Sequence, residues 1–83
     1  MKLLYFAWVR QKVGRSEETF DLPAGIETVR DLAERLRARG GGYEDAFSDL
    51  ARLRAAVNQE HIPFDAAVSP DDEVAFFPPV TGG

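Results

Sequence analysis

An α+β fold is what this 83-residue sequence predicts: a mixed sheet of about five strands, one main helix on one face, and a short second helix. Three observations predict it. Strand-like runs sit at both ends of the chain, one amphipathic helical segment lies between them, and turn residues punctuate the joins. The length is enough for one domain and too short for two, so residues 1–83 are expected to be a single domain.

Lys2 to Arg10 is dense in aromatic and branched residues and bounded by charge, which predicts a central strand. Alternation puts Leu3, Tyr5, Ala7 and Val9 on one face and Leu4, Phe6 and Trp8 on the other. Gln11 to Gly14 should turn, with Gly14 free to take positive φ. Arg15 to Leu22 then returns as the second strand of an antiparallel hairpin. Thr28 followed by Asp31 has the spacing of a capping box, and Val29, Leu32, Ala33 and Leu36 follow the i, i+3, i+4, i+7 rule of an apolar helical stripe. Gly40-Gly41-Gly42 is expected to stop that helix. Tyr43 to Leu50 fits a short second helix, Leu53 to Asn58 a third strand, Asn58-Gln59 a turn, and Ile62 to Phe64 an edge strand where Pro63 is tolerated. Ser69-Pro70-Asp71-Asp72 signals a turn, and Glu73 to Phe77 is the last strand. This order of elements is that of a ubiquitin-like β-grasp domain.

Composition excludes several classes of function. Fourteen acidic against ten basic residues give a net charge of −4, and the eight arginines are interleaved with acids. A duplex-binding surface needs a basic face to neutralise phosphates, so no nucleic-acid partner is expected. No apolar run approaches the roughly 20 residues of a membrane span. Arg10-Gln11-Lys12 stands where a signal peptide would need its small-residue cleavage site. No membrane partner is expected, and the predicted location is cytoplasmic. A core this small leaves little room for a deep substrate pocket, which points to function at a surface or terminus. The chain has no cysteine, so it can form no disulfide and hold no cysteine persulfide. With one histidine, His61, and no cysteine, no metal site is expected.

The terminal segment carries the chemical interest. Pro78 cannot donate to a sheet ladder, so the last strand should end there. Pro78-Pro79 favours an extended backbone rising about 3.1 Å per residue, so residues 78–83 are read as an extended, flexible tail reaching about 15 Å from the body. Gly82 and Gly83 remove every side chain from its end, which lets it enter a narrow channel in another protein.

Phe76-Phe77-Pro78-Pro79-Val80-Thr81-Gly82-Gly83, preceded by Asp72-Glu73-Val74-Ala75, resembles the C-terminal signature of the molybdopterin synthase small-subunit family, the MoaD-like sulfur carriers. Ala55-Ala56-Val57-Asn58-Gln59 matches that family's third-strand segment, and Leu4-Tyr5-Phe6-Ala7 with Val9-Arg10 resembles its opening strand. The resemblance implies a carrier rather than a free-standing enzyme. An E1-like activating enzyme would use ATP to adenylate the Gly83 carboxylate, and sulfur would displace AMP to leave a thiocarboxylate. That thiocarboxylate would donate sulfur to cyclic pyranopterin monophosphate in a pocket of the large synthase subunit, within an expected heterotetramer. Gly83 is then the reacting residue and Gly82 gives clearance. No cofactor would be bound by this chain itself. Other ubiquitin-like sulfur carriers, serving thiazole, tRNA or cysteine synthesis, and a ubiquitin-like protein tag or binding module remain alternative readings.

Phe6, Trp8 and Phe77 are expected together on the sheet face away from the helix, where clustered aromatics mark a partner surface. With Pro78, Pro79, Val80 and Thr81 they make up the expected partner-binding set. His61 is read as a surface or turn residue. Glu17-Glu18 and Asp71-Asp72-Glu73 are read as solvated structural acids. Gly40-Gly41-Gly42 lacks the following Lys-Ser/Thr of a phosphate loop.

Overall fold

The last strand of the chain lies at the middle of the sheet. The computed structural model describes residues 1–79, so expectations resting on Val80, Thr81, Gly82 and Gly83 lie outside the described residues. Five strands are present: β1 (Lys2–Tyr5), β2 (Glu17–Thr19), β3 (Arg54–Val57), β4 (Glu60–Ile62) and β5 (Glu73–Phe77). They line up as β2-β1-β5-β3-β4. β1 runs parallel to β5, with Lys2 opposite Glu73 and Tyr5 opposite Phe76, and the other pairings are antiparallel. Three helices, α1 (Ala7–Val13), α2 (Val29–Arg37) and α3 (Gly41–Phe47), send their buried residues to one face of this mixed sheet. The arrangement is a ubiquitin-like β-grasp.

The core forms where the alternation of the central strands meets the helical stripe. Leu3 and Tyr5 of β1 and Val74 and Phe76 of β5 point inward, against Val29, Leu32, Ala33 and Leu36 of α2. Phe47 of α3 packs edge-on against Phe76, with ring centroids 4.9 Å apart and planes at 86°, a favoured aromatic geometry. The capping box holds: Thr28 Oγ1 accepts from the Asp31 N–H at 3.2 Å, and Asp31 Oδ2 accepts from the Thr28 N–H at 3.2 Å. The N–H of Glu27 also donates to that carboxylate, and these backbone donors hold Asp31 below the usual carboxylate range. Asn58 and Gln59 both take positive φ, 52° and 69°, as a two-residue type I′ hairpin between β3 and β4 requires.

Four expectations are corrected. The strand expected over Lys2 to Arg10 ends at Tyr5, because Ala7 adopts φ 53° and the chain turns into α1. Val9 is buried in either geometry, so its apolar character could not separate strand from helix. The first two strands pair antiparallel as expected, but a helix joins them in place of the turn at Gln11 to Gly14, and β2 covers only Glu17–Thr19. Gly14, at φ 89°, caps that helix with its N–H on the Arg10 carbonyl. The triple glycine ends α2 only through Gly40, at φ 80°; Gly41 and Gly42 already belong to α3. The edge strand expected at Ile62 to Phe64 is Glu60–Ile62, because the tight turn at Asn58-Gln59 restarts pairing at once.

Gly42 is fixed by α1. A Cβ built there would fall on the carbonyl oxygen of Lys12, far inside van der Waals contact, and a backbone atom cannot swing aside. Gly42→Ala should force α1 away from α3 and lower stability by about 1–3 kcal/mol, as overpacking does. Urea unfolding of the variant measures the loss; an unchanged midpoint would contradict this packing.

Candidate functional site

The face of the sheet away from the helices is apolar and open. Alternation in β1 and β5 puts Leu4, Ala75 and Phe77 there, opposite the core residues. These three, with Phe6, Ala56 and His61, line a shallow groove of about 430 Å³ closed at its sides by Gln59 and Glu73. Phe6 is 49% exposed, the one large apolar side chain noted as exposed among the described residues. Phe77 is half-buried. The parallel register sets Tyr5 opposite Phe76, so Phe6 falls beside Phe77, and the N–H of Phe6 donates to the Phe76 carbonyl at 3.1 Å. Both aromatics therefore stand where β5 gives way to Pro78 and Pro79, which are half-buried.

Of the expected partner-binding residues, the structure brings Phe6 and Phe77 together at the root of the terminal segment. It does not bring Trp8 to that face. Trp8 lies on α1, partly packed against the core, and the Arg52 guanidinium sits over its ring, 5.3 Å from the centroid. The reason is the left-handed turn at Ala7, which sends the chain off the sheet before residue 8. Val80 and Thr81, and the reacting residues Gly82 and Gly83, lie outside the described residues.

His61 is exposed, as a surface residue is expected to be, and it belongs to this groove. It pairs with Ala56 across the β3–β4 hairpin and its ring centroid lies 5.1 Å from that of Phe77. A signal for this exists in the sequence. A two-residue turn at Asn58-Gln59 forces residue 61 opposite residue 56, on the same face of the sheet.

A second polar cluster escaped the sequence entirely. Glu18, read as solvated, has a side chain only 7% exposed. It accepts from Tyr5 Oη at 2.8 Å, Tyr43 Oη at 2.6 Å and Arg39 Nη1 at 2.8 Å. Burial pushes its carboxyl upward, but the bonds from Arg39, Tyr43 and Tyr5 outweigh this and hold it below the usual carboxylate range. Burial and then the Glu18 bond raise both tyrosines, Tyr5 strongly. The bond to Glu18 raises Arg39 in turn. Perturbed groups often mark active sites, but here the Tyr5 and Tyr43 hydroxyls and Arg39 Nη1 all donate to the enclosed Glu18 carboxylate. The cluster fastens β1 and β2 to α3 and to the end of α2.

Among the described residues no group of three or more His, Cys, Asp or Glu side chains could hold a metal ion. Likewise, no helix is long and apolar enough to cross a membrane.

The family model described as the ThiS family matches residues 3–83. The molybdopterin synthase sulfur carrier subunit of Escherichia coli (strain K12) is 42% identical over 83 residues, covering 100% of this chain and 99% of the relative. The subunit of the same name from Haemophilus influenzae is 35% identical, with coverage of 100% and 99%. A solved structure from Pyrococcus furiosus, a candidate molybdopterin converting factor, subunit 1, superposes with a TM-score of 0.69 at 30% identity and covers 95% of each chain.

The Glu18 cluster gives the fold a pH signature. A carboxyl lowered on folding stabilises the native state above its unfolded value of about 4.3, and that contribution is lost as pH falls through the lowered folded value. Tyrosines raised on folding contribute fully below about 10 and progressively less as pH rises above it. Stability should form a plateau between these limits. Glu18→Gln should cost about 1–3 kcal/mol on that plateau, because it removes the charge from three hydrogen bonds. The deficit should shrink as acid protonates the wild-type carboxyl. Urea midpoints of both proteins against pH give the comparison, and parallel curves would refute the assignment.

Proposed function

This chain belongs to the ThiS family, and from that premise we propose that it is the sulfur carrier subunit of a molybdopterin synthase in molybdenum cofactor biosynthesis. The observation that carries the reading is the course of β5. One strand supplies Phe77 to an open aromatic face and then leads straight into the segment ending at Gly82 and Gly83. A partner that covers the face is thereby positioned to receive the terminus. The full-length identity to sulfur carrier subunits supports this over the other carrier and tag readings.

In this proposal an E1-like activating enzyme, using ATP, joins AMP to the Gly83 carboxylate and releases pyrophosphate. Sulfur from a donor displaces AMP and leaves a thiocarboxylate. A carboxylate is a poor electrophile, and the adenylate overcomes this; covalent activation divides one difficult substitution into two easier ones. The thiocarboxylate sulfur, softer and more nucleophilic than carboxylate oxygen, then attacks cyclic pyranopterin monophosphate in a pocket of the large synthase subunit, and water cleaves the acyl–sulfur bond, leaving sulfur on the pterin and returning the Gly83 carboxylate. Cysteine is absent, so the terminal carboxyl is the group left to bear sulfur. The body provides docking, and residues 78–83 act as the tail that spans from the docked face to the chemistry. The working assembly is a heterotetramer with the large subunit, in the cytoplasm.

Two outcomes test the reading. Incubated with ATP, the activating enzyme and a sulfur source, the intact chain should gain the mass difference between sulfur and oxygen, located on its last residue. A chain lacking Gly83 should gain nothing. Conjugates to lysine without the sulfur gain would favour the protein tag. Separately, Phe77→Ser should fold normally yet bind the large subunit more weakly by about 2 kcal/mol, the scale of a central aromatic anchor. Titration calorimetry measures it, and unchanged affinity would remove Phe77 from the interface.

A further inference from the structure

Net charge and local charge disagree in this molecule. The chain carries −4 overall, but the strand directions separate its charges. At the start of β1 and β5, Glu17, Asp71, Asp72 and Glu73 surround a hollow that holds one lysine, Lys2. At the opposite end, where β5 runs out toward the terminus, β3 begins. Its antiparallel register sets Arg54 directly opposite Phe77. Arg52 stands two residues earlier, over the ring of Trp8.

Both guanidiniums are exposed and held in place. Arg54 Nη1 donates to the carbonyls of Leu53 at 2.8 Å and Ala51 at 3.4 Å. Among the described residues its Nε and Nη2 make no bond, so one edge of the fork is presented outward. Arg52 is steadied by the indole face, a contact that leaves its N–H groups available. The ion pairs among the described residues involve Lys2, Arg15, Arg30 and Arg39, not Arg52 or Arg54. Asp49 accepts from the Ala51 N–H, and Asp65, which lines one hollow with Arg54, pairs with Arg30.

We propose that Arg52 and Arg54 form a basic collar at the root of the tail, which docks against carboxylates on the large synthase subunit around the opening that admits the tail. The proposal rests on the docking reading above and specifies its chemistry. A partner that covers Phe77 also covers its cross-strand neighbour Arg54. A guanidinium taken from water without an acceptor is strongly unfavourable, so the covering surface must offer anionic oxygens there. Carboxylates match the planar fork of arginine two bonds at a time. Arg54 stands opposite Phe77, six residues before Gly83 in the sequence, so the two arginines act at the mouth of the pocket and not on the reacting carboxyl. Of the acids around Lys2, only Glu73 also borders the aromatic groove; Glu17, Asp71 and Asp72 lie away from it, and the basic end leads the encounter.

The test is the association rate of the full-length chain with the purified large subunit, followed by stopped flow at about 50 mM and about 500 mM salt, either side of strong screening. The Arg52→Glu/Arg54→Glu double variant should associate on the order of tenfold or more slowly at low salt, and the gap should narrow at high salt. Asp71→Lys, at the far end, should stay within about twofold of wild type. Arg52→Gln/Arg54→Lys keeps most of the local structure and should show an intermediate loss, which guards against a folding defect in the double reversal. A rate that is unchanged or faster in the double reversal overturns the collar. If Phe77→Ser weakens binding while the arginine variants do not, only the collar falls. If Phe77→Ser binds as wild type does, the docking reading falls with it.

Discussion

The parallel pairing of β1 with β5 is the constraint on which the rest of this structure depends. It joins residues some seventy positions apart in the chain, and it does so in one register: Tyr5 beside Phe76. That register decides which side chains enter the core and which face the solvent, because a slip of one residue would exchange the two faces. Leu3, Tyr5, Val74 and Phe76 are all buried, so a slip of either strand would expose two large apolar groups at once. The same register places Phe6 beside Phe77 on the outer face. The docking face is thus a by-product of the core: packing on one side of two strands fixes the geometry on the other.

Ala7 shows what that geometry costs. A left-handed backbone is unfavourable for a residue with a Cβ by about 1–2 kcal/mol, yet Ala7 holds φ 53° where Phe6 leaves the sheet. The conformation is sustained on both sides. The Phe6 N–H is bonded to Phe76, and the Phe6 carbonyl accepts from the N–H groups of Val9 and Arg10 as α1 begins. Because α1 turns away immediately, Phe6 stays 49% exposed among the described residues. Had the strand continued to Arg10, Trp8 would have joined the outer face and the aromatic surface would be a ridge of three rings. The turn makes it a compact pair at the root of the terminal segment.

The sequence was legible where local rules and global packing agree. The α2 stripe, the Thr28 and Asp31 capping box, the Asn58-Gln59 turn and the bounds of Glu73–Phe77 all follow from spacing and turn chemistry. It was illegible where one pattern serves two structures. Ala7-Trp8-Val9 extends the strand alternation of Leu3 to Phe6, and Val9 is a core residue whether it arrives on a strand or a helix. Only the left-handed angle at Ala7 separates the two, and alanine gives no sign of it. Glu18 was hidden for a related reason. Its three partners come from β1, the link after α2, and α3, and no periodicity within Glu17-Glu18 reveals that one carboxylate is solvated and the next enclosed. Gly42 is a third case, since its small size answers to Lys12 on another helix and not to its own turn.

Charge follows the same logic of placement over composition. An acidic total suggests a basic partner, but charges further from a contact than the screening length of about 8–10 Å are largely screened there. The interface is smaller than the molecule, whose described residues span 36 Å along the longest axis. At contact, the local sign governs. β1 and β5 run toward Phe6 and Phe77 at one end, and the turn before β5 leaves Asp71 and Asp72 at the other. Arg52 and Arg54, just before and at the start of β3, stand where β5 ends. A carrier must approach its partners with one end foremost, and a charge gradient along the strand axis orients that approach before any aromatic contact forms.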